Sequence, residues 1–194
     1  MKEMKLSDRI SYVECSEEPL SADIGIIRDQ GKIWLYDVGN DAGRIEGFDR
    51  KYHIVLSHFH ADHVGNLERM RIETLYLSKE TQKHVVPQGL IVEDDLYIDD
   101  IHIFPLRSSH AKGCLGLEVN ETYAFVGDAL YGREKNGRYG YNTQLLREEI
   151  DQLMKLKAPY LLVSHYPGLV RNREEVIGEL EEKWRNREGD FCPM

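Results

Sequence analysis

The segment His58-Phe59-His60-Ala61-Asp62-His63 places three imidazoles and a carboxylate within six residues. Imidazole nitrogen and carboxylate oxygen suit zinc and other borderline divalent ions. His58 and His60 stand two apart, so in extended backbone their side chains point to the same side. Asp62 and His63 follow where the chain turns into a helix, so they can face a second point nearby. The spacing predicts two metal positions rather than one. The bland alternative is a polar loop with solvated histidines.

Further ligand types recur in one local context, the end of an apolar run. His58 ends His53–Ser57. His110 follows Ile101–Leu106 after a brief polar segment. Asp128 ends Tyr123–Gly127, and His165 ends Tyr160–Ser164. Strands that deliver ligands at their carboxyl ends hold them on rigid backbone. The remaining histidines, His53, His84 and His102, match no motif. His53 and His102 read as structural strand residues and His84 as a helix-end surface residue.

The elements that must position these groups are legible in part. Strands are predicted at Ile10–Cys15, Asp23–Arg28, Lys32–Asp37, His53–Ser57, Thr74–Ser78, Leu96–Ile98, Ile101–Leu106, Leu115–Val119, Tyr123–Val126 and Tyr160–Ser164. Asp29-Gln30-Gly31 signals a hairpin. Helical spacing predicts Val64–Arg71, a turn at Lys79–His84 that must stop before Pro87, Thr143–Lys157, and Asn172–Arg187. Two sheets with helices outside would bury these faces. Periodicity by itself supports α and β elements in one domain, residues 1–194.

Composition narrows the function. Lys plus Arg number 25 against 34 Asp plus Glu, a formal charge of −9. That balance disfavours a general nucleic-acid binder. Apolar stretches fall far short of the ~20 residues that span a bilayer. The first residues lack the apolar core of an export signal, and the three cysteines, Cys15, Cys114 and Cys192, have no framework spacing. The expectation is a cytoplasmic protein in a reducing compartment, with a small-molecule substrate and no nucleic-acid or membrane partner. Oligomeric state is left open. The acidic run Glu93-Asp94-Asp95 with Asp99-Asp100 lacks the spacing and glycine of a calcium loop and reads as a solvated turn.

Taken in order, these motifs resemble those of the metallo-β-lactamase superfamily of binuclear metallohydrolases. The likeness runs from Asp37-Val38-Gly39 to Ser164-His165-Tyr166-Pro167-Gly168. The resemblance implies an α/β fold, the four-layer αββα sandwich, with the site at the sheet edges. It implies that His58, His60 and His110 hold one metal, that Asp62, His63 and His165 hold the other, and that Asp128 bridges them. Asp37 resembles the aspartate that steadies the histidine loop from behind. The expected cofactor is two divalent ions, zinc first, with iron or manganese as alternatives. Two such ions sharing a water lower its pKa from 15.7 toward ~7 and supply hydroxide at neutral pH. Asp62 and Asp128 are the catalytic candidates, offsetting the added positive charge.

The branch is narrowed by departures. His60 stands where flavodiiron-type members carry glutamate, which argues against diiron electron transfer. No cysteine stands at the Asp128 position, where many antibiotic-degrading lactamases place a thiolate. The run from Gly127-Asp128-Ala129-Leu130-Tyr131-Gly132 to Gly137-Arg138-Tyr139-Gly140-Tyr141 is similar to the loop of glyoxalase II-like thioesterases. There Tyr131, Tyr139 or Tyr141 would donate to a carbonyl or leaving group, and Arg133, Lys135 and Arg138 would attract an acidic substrate. The added helical region that binds glutathione in glyoxalase II has no counterpart after His165. Cys114, where thioesterases often carry histidine, reads as a small buried thiol. The leading expectation is a metal-dependent hydrolase of a small ester, thioester or lactone. The alternatives are a phosphodiesterase or RNA-processing nuclease on the same site, an iron-dependent oxygenase, and a non-catalytic metal-binding domain.

Overall fold

A computed structural model describes residues 2–135 and 137–193. They form two compact units, Met1–Leu96 and Tyr97–Met194.

The first unit is a seven-stranded sheet. Its strands in spatial order are Glu3–Lys5, Ile10–Val13, Ile24–Asp29, Lys32–Tyr36, Lys51–Val55, Arg71–Leu77 and Leu90–Ile91. The first four run antiparallel and the last three are added parallel. The expected hairpin is present: Gln30 and Gly31 take φ of 46° and 79°, and Asp29 pairs with Lys32. Two successive positive φ values twist the turn to match its strands. Apolar side chains lie on both faces. Ile24, Ile26, Leu35, Ile54, Leu75 and Leu77 pack in one core. On the other face Trp34 stacks on His53 and Tyr76, at 4.7 and 5.5 Å between ring centroids. His53 is thus a structural residue, and burial pushes its pKa below the ordinary histidine value.

The second unit carries a six-stranded sheet, in the order Leu96–Ile98, Ile101–Leu106, Cys114–Val119, Tyr123–Gly127, Tyr160–Val163 and Val170–Asn172. Tyr123–Gly127 and Tyr160–Val163 run parallel and the next strand returns antiparallel. A small three-stranded sheet joins Arg133–Lys135, Arg138–Asn142 and Phe191–Pro193. Helices Thr143–Leu153 and Arg173–Arg185 begin where Asn142 and Asn172 accept hydrogen bonds from their first-turn amides. His102 stacks on Tyr97 at 4.2 Å and meets Glu118 at 3.4 Å, so it too serves the fold.

Three expectations need correction. The predicted helix Val64–Arg71 is a single α-turn, Ala61–Val64, followed by a 3-10 turn at Leu67–Arg69. The helix expected to reach Lys157 ends at Leu153, leaving Met154 57% exposed. The chain leaves it there because the amides of Lys157 and Ala158 donate to the buried Glu118 Oε1 at 2.8 and 2.6 Å. The segment around Arg138 is a strand pair rather than a loop. Among the described residues no helix is long and apolar enough to cross a membrane.

Candidate metal centre

In the first unit the site starts from a parallel strand pair. Lys32–Tyr36 and Lys51–Val55 are neighbours with Tyr36 opposite Val55. Their carboxyl ends therefore emerge side by side, one carrying Asp37 and the other Ser57-His58. Crevices outside such carboxyl ends are where open α/β sheets bind ligands. Asp37 is fully buried and takes a left-handed φ of 60°, a conformation that costs about 1–3 kcal/mol in a non-glycine residue. It is held by its own contacts. Asp37 Oδ1 accepts from the Ser57 amide at 2.7 Å, and Oδ2 accepts from Ser57 Oγ and from His63 Nδ1, each at 2.7 Å.

This network assigns the imidazole tautomers. Ser57 Oγ gives its one proton to Asp37, so the 2.9 Å contact from Ser57 Oγ to His58 Nδ1 is donated by the histidine. His63 Nδ1 likewise donates to the carboxylate. Both rings, when neutral, therefore carry the proton on Nδ1 and the lone pair on Nε2. That is how a carboxylate behind a metal-binding histidine sets its ligating face. His60 sits at the N-cap of Ala61–Val64, its ring 4.5 Å from that of His58, and the His58 and His63 rings lie 4.2 Å apart. Asp62 Oδ2 lies 3.5 Å from His63 Nε2. The first unit thus brings together His58, His60, Asp62 and His63, with Asp37 beneath them.

The surrounding turns lock this arrangement. The Val38 amide donates to the His63 carbonyl, and the Asn66 amide to the Gly39 carbonyl, both at 2.9 Å. Buried Asn66 donates its side-chain amide to the carbonyls of Val38 and Asp41. Gly65 allows this close packing, because a Cβ there would lie 2.1 Å from Asn40 Oδ1. Asp37→Ala leaves the Ser57 amide, the Ser57 hydroxyl and His63 Nδ1 buried and unanswered. The expected loss is about 3–5 kcal/mol of unfolding free energy, read by urea denaturation. A loss under about 1 kcal/mol would show that Asp37 does not organise the loop.

The second unit repeats the construction. Parallel strands Tyr123–Gly127 and Tyr160–Val163 end together, Gly127 opposite Val163, and release Asp128 and His165. His165 adopts φ of 60°, the counterpart of Asp37. His110 comes from the turn between Ile101–Leu106 and Cys114–Val119, where its amide donates to Ser108 Oγ at 3.0 Å and Ser108 Oγ donates to the Ala129 carbonyl at 2.7 Å. The Asp128 carboxylate has one oxygen toward each imidazole: Oδ2 is 3.4 Å from His110 Nε2, and Oδ1 is 3.8 Å from His165 Nε2.

Two tyrosines of this unit hold backbone. Tyr131 Oη donates to the Ser164 carbonyl at 2.7 Å, bracing the residue before His165. Buried Tyr141 donates to the Leu130 carbonyl at 2.9 Å, and burial drives its pKa well above the ordinary value. Arg138 pairs with Glu188 at 2.6 Å and lies over the Phe191 ring, while Tyr139 is 48% exposed. Burial pushes the Cys114 thiol up to about 12, so it stays protonated and is no nucleophile. His84 is the expected exposed residue just past a helix end, and its ring stacks on Phe59 at 4.2 Å. One feature escaped sequence reading: Glu149 is fully buried, on the inner face of Thr143–Leu153.

No protein-family model matches the chain, and no curated protein matches it in sequence. Solved structures do match in fold. The chain superposes on DIM-1 metallo-β-lactamase with TM-score 0.72 at 13% identity, covering 93% of this chain and 97% of that one. A metallo-β-lactamase family protein from Thermus thermophilus gives TM-score 0.68 at 18% identity, covering 92% of this chain and 80% of that one. The chemotaxis sensor ODP, solved as a peroxy diiron species, gives 0.71 at 14%, covering 94% of each chain. The chain has the metallo-β-lactamase fold, mixed α/β with several sheets.

Proposed function

We propose that the chain is a binuclear metal-dependent hydrolase acting on a small ester, thioester or lactone. His58, His60 and His110 would hold one ion. Asp62, His63 and His165 would hold the other, with Asp128 shared between them. The donor set fits borderline divalent ions, five imidazoles and two carboxylates without a thiolate. The observation that carries this reading is the Asp37 network. A buried carboxylate that is not itself a ligand fixes His63 directly and His58 through Ser57, leaving Nε2 of each as the lone-pair nitrogen. Bound ions supply Lewis acidity and lower the pKa of water. Asp62 and Asp128 would neutralise part of the ions' charge, and Tyr131 would hold the Ser164-His165 turn.

The overall charge of −9 favours a small substrate over a nucleic acid. Three free cysteines, Cys15, Cys114 and Cys192, suit a reducing, cytoplasmic setting. The test is elemental analysis of purified protein combined with a panel of thioesters, lactones and phosphodiesters. The expected result is two divalent ions per chain and hydrolysis of carbonyl substrates that chelation abolishes. Turnover of phosphodiesters alone would reassign the protein as a phosphodiesterase. Iron with oxygen uptake and no hydrolysis would reassign it as an oxygenase.

A further inference from the structure

The segment that follows Arg71–Leu77 lies at the same carboxyl edge of the first sheet as the histidine loop, because Arg71–Leu77 runs parallel beside Lys51–Val55. It begins with a short helix, Lys79–Gln82, and returns as the edge strand Leu90–Ile91. Between them the backbone is tied by one side chain. Gln82 Nε2 donates to the Pro87 carbonyl at 3.1 Å and to the Val85 carbonyl at 3.4 Å, and its Oε1 accepts from the Gly89 amide at 2.9 Å. Gly89 packs so tightly that a Cβ would lie 2.1 Å from Leu77 Cδ2. Val85 packs against the core. This built loop nevertheless presents apolar side chains to solvent: Val86 is 76% exposed, Leu90 56% and Ile91 42%.

The loop is joined to the histidine segment. The His84 ring stacks on Phe59 at 4.2 Å with 18° between planes. Phe59 stands between His58 and His60 in sequence, and its ring meets that of His60 edge-on at 5.0 Å. The His84–Phe59 stack therefore links the histidine pair to the loop that carries Val86, two residues beyond His84. A soluble chain leaves apolar surface exposed at a cost, and exposed apolar patches mark binding sites.

We propose that Phe59, His84, Val86 and Leu90 form the wall that receives the apolar acyl portion of the substrate, so that the protein selects medium-length aliphatic acyl groups. This inference rests on the metal-site reading above. An occupant of this chemistry fits for two reasons. The wall starts beside His58 and His60, proposed ligands of one ion. The exposed apolar side chains Val86, Leu90 and Ile91 match an aliphatic chain, and the Lys83 ammonium of the same segment is paired with Glu80 at 2.6 Å.

The experiment uses straight-chain carboxylates from acetate to octanoate as probes. Their binding to the zinc-loaded full chain is measured by calorimetry, with zinc content recorded first. Affinity is expected to rise about twofold to fourfold per methylene, as partial to full burial of each CH2 supplies. Val86→Ser with Leu90→Ser, both solvent-exposed, is expected to flatten that rise while zinc content stays unchanged. A flat profile in the unsubstituted chain overturns the proposal, and so does a rise the double variant does not reduce. If the double variant keeps the rise but shifts sedimentation from dimer to monomer, the wall is an interface between copies and the proposal falls. A clear rise in a protein that hydrolyses no ester or thioester supports the wall and sinks the hydrolase reading instead. A chain that takes up no zinc overturns both.

Discussion

His60→Ala is expected to lower kcat/KM on any substrate that the proposed hydrolase turns over by about 10³-fold or more, with loss of at least one bound ion. The size follows from the several kcal/mol of charge stabilisation that a Lewis-acidic ion contributes, each 1.36 kcal/mol being tenfold in rate. This position makes a cleaner test than its neighbours. His58 is fully buried and bonded to Ser57, and His63 is fully buried and bonded to Asp37, so truncating either damages the fold as well as the site. His60 is half-buried, and as N-cap of Ala61–Val64 it makes no side-chain capping bond. Its removal should leave the circular dichroism spectrum unchanged. The melting temperature supplies an independent reading. Zinc at a hundred times its dissociation constant stabilises a folded protein by about 2.7 kcal/mol, about 5–10 °C for a chain of this size. That increment is expected in the unsubstituted chain and is expected to shrink in His60→Ala. Two bound ions and a rate within tenfold in the variant would remove His60 from the site.

The histidine loop was the most legible part of the chain because its chemistry is local. Four ligand types within six residues can be weighed without knowing any long-range contact. The strand ends bearing Asp128 and His165 were legible for a related reason. Runs such as Tyr123–Gly127 and Tyr160–Val163 are apolar enough to be central strands, and a titratable residue, Asp128 or His165, follows within two positions of each. What sequence does not carry is registry. The parallel pairings that set Asp37 beside Ser57, and Gly127 beside Val163, depend on strands distant in sequence. The same limit hid the roles of Tyr131 and Tyr141. Their hydroxyls suggested substrate contacts, yet each donates to a carbonyl on another segment, Ser164 or Leu130. The edge strand Leu90–Ile91 was missed because two paired residues leave no periodicity to read.

The residue that most contradicts its pattern is Glu149, and it yields the largest expected gain in stability. Leu146, Glu149, Ile150 and Leu153 form the buried face of Thr143–Leu153, so a carboxyl group occupies an apolar position. Glu149 is fully buried, and among the described residues neither of its oxygens has a hydrogen-bond partner. Burial holds its pKa well above the ordinary glutamate value of 4.5. The folded protein therefore keeps the proton after the unfolded chain has released it. Below pH 4.5 both states are protonated and ionisation contributes no penalty. As pH rises above that value the unfolded state ionises first, and folding stability falls by up to ~1.4 kcal/mol per pH unit until the folded group titrates as well. Paired carboxylates such as Glu118 act in the opposite sense: burial pulls its pKa upward, but its bonds to His102 and to the Ala158 and Lys157 amides together outweigh that and leave it lowered. The informative quantity is therefore the difference between chains. Glu149→Leu is expected to be the more stable by about 2 kcal/mol or more at pH 8, and that advantage should shrink steadily toward pH 5. Glu149→Gln, which keeps the shape and cannot ionise, should show the same pH trend with a smaller gain. Urea denaturation of the three metal-free chains at half-unit pH steps measures it. A difference that does not change between pH 5 and 8 would mean that Glu149 ionises alike in both states, and that water or a cation reaches this helix face.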